Sequence, residues 1–205
     1  MSNSLLKIIC VFGVSTTWGA YDLEKGGWVN RLRLYFDSKG HNEAEVYNLG
    51  VTGETTKDVL QRFDEEAEAR EANIIIFAIG ANDQIWDTSK NAFWVDIEEF
   101  QENMKKLIQR ARKYTQAIVL VGIQNVDEAR TAPIAWDQNL HYKNENIQKY
   151  NEALEQISKE ESLSYIPLFG LLNNEDLEDG LHANAAGHQK IFEKVKGFLA
   201  ENKLI

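Results

Sequence analysis

A single cysteine, Cys10, denies the chain any internal disulfide, which suits a reducing compartment. It sits inside an apolar run, where a thiol is inert packing rather than a nucleophile. Proline is almost as scarce, at two residues, and no Pro-rich, Gly/Ser-rich or repeated segment occurs, so disorder is not expected beyond the termini. Basic residues are in deficit: 22 Lys and Arg stand against 32 Asp and Glu, a formal charge of -10. Such a chain repels phosphate backbones and anionic headgroups, which argues against nucleic acid or a membrane surface as partner. No apolar run approaches the ~20 residues of a membrane span. The opening MSNSLLKIICVFGV has neither a basic leader nor a small-residue cleavage site, so it reads as a first strand rather than a signal sequence, and a cytoplasmic protein is expected. Of four histidines, no two share ligand spacing with a carboxylate, and no metal is expected.

What is present suits one globular unit over residues 1–205, with 43% hydrophobic and 26% charged residues. Five short apolar runs read as strands: KIICVF (7–12), EVYNL (45–49), NIIIFAI (73–79), AIVLVGI (117–123) and SYIPLF (164–169). The third and fourth lack polar alternation, as expected where helices cover both faces of a parallel sheet. Helical stripes lie between them: Trp28, Leu32, Tyr35 and Phe36; Val59, Phe63 and Ala67 behind a TTKD capping pattern; Phe93 through Ala111; Ile147, Tyr150, Leu154 and Ile157; Ile191, Phe192, Val195, Phe198 and Leu199. Strict βα alternation predicts an α/β fold, a three-layer α/β/α sandwich around a parallel five-stranded sheet of flavodoxin-like order 2-1-3-4-5, with Pro167 marking an edge strand.

The joints are unequal. Helix-to-strand links are short, whereas about ten residues follow Ile79, about eighteen follow Ile123 and about thirteen follow Phe169, against a usual two to six. The surplus chain gathers at the carboxyl ends of the strands, where open α/β sheets bind ligands. That rim holds Ser15 after the first strand, Gly50 after the second, Asn82 after the third, and Asp179 and His182 before the last helix. An acyl transfer needs a nucleophile, a base, a group that holds the base, and oxyanion donors. Ser15, His182 and Asp179 are the candidates for the first three roles. The N–H groups of Ser15 and Gly50 and the Asn82 amide are the candidate donors.

Together FGVSTTWG, NLGVTGETT, IGAND and DGLHAN resemble the four blocks of the SGNH hydrolases, or GDSL-type esterases, and the resemblance spans nearly the whole chain. It implies a serine esterase, thioesterase or lipase that works without metal or organic cofactor. One departure is Val14, where the family's first block carries Asp. The expected substrate is a small carboxylic ester, short acyl groups favoured, cleaved through an acyl-enzyme on Ser15. A pseudoenzyme idled by Val14 is an alternative, and so is a flavodoxin-type binder holding a phosphate or nucleotide on STT (15–17). Trp136 is the candidate wall for an acyl or leaving group, and Arg130 a candidate contact for a polar leaving group. Trp86 and Trp94 are expected to pack, Asp83 to be structural, His188 to pack or lie on the surface, and His41 and His141 to lie in loops. Oligomeric state is left open.

Overall fold

After Lys7 the first run leaves no polar position to face water, and it forms an interior strand. The computed structural model describes residues 6–40 and 43–205; His41 therefore lies outside the described residues. In chain order come β1 (Lys7–Gly13), α1 (Ser15–Trp18), α2 (Gly27–Asp37), β2 (Ala44–Gly50), α3 (Thr56–Glu68) and β3 (Ile74–Ala78). Next are β4 (Trp86–Asp87), β5 (Ala92–Phe93), α4 (Ile97–Ala111), β6 (Ile118–Val121) and α5 (Glu128–Thr131). The chain continues through β7 (Leu140–His141), α6 (Asn144–Glu160), β8 (Ser164–Ile166) and α7 (Ala185–Glu201).

The long strands pair in parallel in the order β2-β1-β3-β6-β8, which numbered among themselves is the expected 2-1-3-4-5. Side chains alternate between two cores with the period of the pleat. Ile9, Val11, Ile74 and Ile76 pack with Trp28, Leu32, Ile191 and Val195 of α2 and α7. Cys10, Phe12, Ile75 and Phe77 pack with Phe63, Phe100 and Tyr150 of α3, α4 and α6. Each such fully buried apolar side chain contributes on the order of 1.5–3 kcal/mol. Burial also pushes the Cys10 thiol up to about 12, leaving it protonated and inert. Pro167 follows directly on β8, at one sheet edge, where no ladder donor is missed.

Connectivity fixes where a site can form. From β1 the chain crosses to β2 through α2 on one face, then reverses through α3, α4 and α6 on the other. This change of direction makes the carboxyl end of β1 the topological switch point. Gly13 is level with Gly50 on one side and Ala78 on the other, so three joints leave the sheet abreast.

Two details differ from the sequence reading. The stripe predicted from Phe93 enters a helix only at Ile97, because Asp96 caps it by accepting from the Glu99 N–H at 2.8 Å. Phe93 lies instead in a three-stranded antiparallel ribbon, β5-β4-β7, packed edge-on against Trp86 at 5.0 Å. His141, expected in a loop, pairs with Trp86 in that ribbon. The TTKD pattern does close a capping box: Asp58 Oδ2 accepts from the Thr55 N–H at 2.8 Å and its hydroxyl at 2.7 Å.

Candidate active site

Gly13 ends β1, and only glycine lets the chain turn there, since a Cβ would stand 2.0 Å from Thr17 Oγ1. Val14 then serves as N-cap of α1 and Ser15 as its first residue. At that position the Ser15 N–H has no intrahelical acceptor. On the far side, residues 177–183 form a tight turn closed by pairing of Leu177 with Ala183 and by a bond from Glu178 N–H to His182 C=O at 2.8 Å. Gly180 supplies its left-handed bend, with φ 92°.

The turn delivers Asp179 and His182 to Ser15 across 167 residues of sequence. Ser15 Oγ lies 2.9 Å from His182 Nε2, and His182 Nδ1 lies 2.7 Å from Asp179 Oδ2. A carboxylate only accepts, so Nδ1 carries the proton and Nε2 offers its lone pair to the hydroxyl. Asp179 Oδ1 accepts from the N–H groups of Leu181 at 3.0 Å and His182 at 2.8 Å. Burial works to raise this carboxyl, but the hydrogen bonds from His182 and Leu181 outweigh it and hold it at about 2.

Asn82 follows β3 and is buried. Its Nδ2 donates one hydrogen to Glu54 C=O at 2.8 Å, while Oδ1 accepts from the Tyr142 hydroxyl at 3.3 Å. These two contacts fix which way the amide faces and leave one Nδ2 hydrogen to spare. Its neighbour Asp83 is structural: Thr56 donates to it from N–H at 3.0 Å and from Oγ1 at 2.5 Å, and burial lifts the carboxyl to about 6.

Gly50 requires a correction. Its N–H already donates to Asn48 Oδ1 at 3.0 Å, and a Cβ there would meet Trp18 N at 2.3 Å. The glycine serves close packing of α1 on β2 rather than donation to a substrate. Most of the other backbone N–H groups of that loop have acceptors. Val51 N–H donates to Gly13 C=O, Glu54 N–H to Val51 C=O, Thr55 N–H to Asp58 and Thr56 N–H to Asp83. The donors left are those of Thr52 and Gly53. Gly53 holds φ 83°, opens onto free space and directly precedes the Glu54 carbonyl bound by Asn82.

Arg130 also differs from expectation. Its Nε donates to Asp127 Oδ2, Nη1 to Glu178 C=O, and Nη2 to the carbonyls of Asn174 and Leu177, at 2.9–3.3 Å. The guanidinium braces the segment carrying Asp179 instead of facing a leaving group. Trp136, by contrast, lies nearly parallel to the His182 ring, centroids 6.1 Å apart. His188 is fully buried, accepting at Nδ1 from the Trp28 N–H at 3.2 Å and donating from Nε2 to Ala20 C=O at 3.0 Å. The STT hydroxyls are engaged or buried: Ser15 with His182, Thr16 with Gln124 Nε2 at 3.1 Å, Thr17 in the interior. Among the described residues no cluster of three or more His, Cys, Asp or Glu could hold a metal ion, and no helix is long and apolar enough to cross a membrane.

Comparison with known proteins agrees with this frame. A yeast protein, the isoamyl acetate-hydrolyzing esterase of Saccharomyces cerevisiae, is 27% identical over 202 residues, spanning 89% of this chain and 81% of that one. The crystal structure of a lipase/acylhydrolase from Enterococcus faecalis superposes with a TM-score of 0.78 at 20% identity, over 96% of this chain and 97% of that one. An acetylxylan esterase from Geobacillus stearothermophilus gives 0.75 at 18% identity, over 98% and 96%. The model of the GDSL-like lipase/acylhydrolase family matches residues 11–190. The chain belongs to that family and is a carboxylic ester hydrolase.

Proposed function

We propose that Ser15 is the nucleophile, His182 the general base and Asp179 its orienting carboxylate, in hydrolysis of a short-acyl carboxylic ester. The observation that carries this reading is the continuous relay from Ser15 Oγ through His182 to Asp179, at 2.9 and 2.7 Å. Ser15 Oγ adds to the ester carbonyl as its proton passes to His182 Nε2, and the carbonyl π pair moves onto oxygen. That oxyanion meets the Ser15 N–H, the spare Asn82 Nδ2 hydrogen and the Gly53 N–H. Collapse expels the alcohol oxygen, which takes the proton from His182 and leaves an acyl-Ser15. Water then attacks with His182 again as base, releasing the acid and restoring the hydroxyl.

The choice of a short acyl group is supported by the yeast relative, which is named for hydrolysing an acetate ester. A fluorophosphonate probe tests the reading: one equivalent should add to Ser15, located by peptide mass, with loss of ester hydrolysis. Labelling elsewhere, or full hydrolysis by Ser15→Ala, would remove the basis of this mechanism.

A further inference from the structure

Of the large apolar side chains exposed on the described surface, Trp18, Tyr21, Leu23, Val51 and Trp136 lie in the joints after β1, β2 and β6; Leu34 alone lies elsewhere. These joints surround Ser15. Two of the side chains touch the base itself. The Tyr21 ring centroid is 5.4 Å from the His182 ring and tilted by 40°, and Trp136 stacks at 6.1 Å and 26°. Both remain about half open to solvent, at 49% and 56%.

Tyr21 is held there against local preference. Its φ of 62° is left-handed, an uncommon and strained state for a bulky residue. Buried polar groups clamp the loop from beneath. Asp22 Oδ1 accepts from the N–H groups of Glu24 and Lys25, and Oδ2 accepts from the Gly27 N–H and Arg31 Nε. His188 ties Ala20 to α7. A buried ion pair and a buried imidazole thus keep an apolar tip in water, with Leu23 99% exposed, where burial would otherwise draw it inward.

The chemistry decides which part of a substrate meets these rings. The carbonyl oxygen turns toward the amide donors, while the leaving oxygen must reach His182 Nε2 to collect its proton. Groups touching the imidazole therefore flank the alcohol portion. The charges that act on the Tyr21 hydroxyl are the carboxylates of Asp179 and Glu178, and the negative charge of Asp179 is the main cause holding it above its ordinary value. The Arg130 guanidinium is spent on backbone carbonyls, so an anionic alcohol has no partner here.

Resting on the reading of Ser15 as nucleophile, we propose that Tyr21 and Trp136 form the alcohol subsite and select esters of uncharged, apolar or aromatic alcohols. The experiment compares acetates of benzyl alcohol, methanol, choline and glycolic acid, using the parent, Tyr21→Asn and Trp136→Ala. Asparagine tolerates the left-handed backbone, and melting temperatures verify that both variants fold. Benzyl acetate should have the lowest KM of the four. Each variant should lower its kcat/KM by about tenfold, mostly through KM, and lower that for methyl acetate by a clearly smaller factor. Equal losses on benzyl and methyl acetate would overturn the proposal, as would a lower KM for the choline or glycolate ester. So would a dimer that Trp136→Ala dissociates while alcohol selectivity stays unchanged. A parent that cleaves none of the four and takes up no phosphonate fails at the nucleophile instead.

Discussion

At position 14 the chain places a valine where α1 needs an acceptor. Val14 caps that helix with no side-chain bond, and Thr17 Oγ1 is buried nearby without a partner. An aspartate there would accept from the first-turn N–H groups, a cap worth ~0.5–2 kcal/mol, and would steady the Ser15 N–H proposed above as an oxyanion donor. Val14→Asp should therefore raise kcat about three- to tenfold with KM unchanged, as measured on a short-acyl ester. An equal or lower rate in a variant that melts normally would show that the valine costs the site nothing. The same scale marks the limit of reading residues from sequence. NLGVTGETT offers two glycines, and composition cannot choose between Gly50 and Gly53. The choice needs an account of every N–H in the loop, including the Asn48 side chain that occupies Gly50. Tyr21 was equally hidden, since its contact with His182 depends on a left-handed bend that nothing in AYDLE announces.

Among the elements, α5 has a task out of proportion to its four residues. Arg130 on α5 reaches three carbonyls of residues 174–178, and the Asp127 N–H just before α5 donates to Gly180 C=O at 2.8 Å, so the helix moors the turn that presents Asp179 and His182. Misplacing a reacting group by about 1 Å can cost on the order of a hundredfold. Arg130→Ala should lower kcat by about ten- to a hundredfold with KM within about twofold, and Arg130→Lys should rescue little, because an ammonium lacks the planar fork. A rise in KM at constant kcat would return Arg130 to the substrate. Long strands and helices were legible because an unbroken apolar run or a 3.6-residue stripe survives over many positions. The β5-β4-β7 ribbon was not, because two-residue strands carry no period, and Asp96 outweighed a stripe that continued back to Phe93.

For the whole molecule, opposing buried groups shape the response to acid. Burial works to raise Asp22, Asp176 and Asp179, but bonds from Gly27, Lys190 and His182 respectively outweigh it and hold all three below the ordinary carboxylate range. Their contribution is present above about pH 4 and is lost as pH falls toward their folded values. Burial depresses His188, so its contribution is present above about pH 6.5 and declines below that. Asp83 runs the other way: lifted to about 6 by burial, it binds a proton in the fold before it would in the open chain, and stability rises as pH drops from about 6 toward 4. Urea midpoints should therefore vary little between about pH 6 and 4 and fall steeply below that. A steep decline already at pH 6 would mean that His188 outweighs Asp83. The overall layering was readable because five apolar runs and their alternation with helices survive in one dimension, whereas the rim's aromatic cover exists only after distant joints converge. One arrangement bears on synthesis: the hydroxyl leaves the ribosome first and its imidazole partner some 167 residues later. On the reading proposed for Ser15, an unfinished polypeptide carries a blunt warhead, and surrounding metabolites stay safe until the imidazole has emerged.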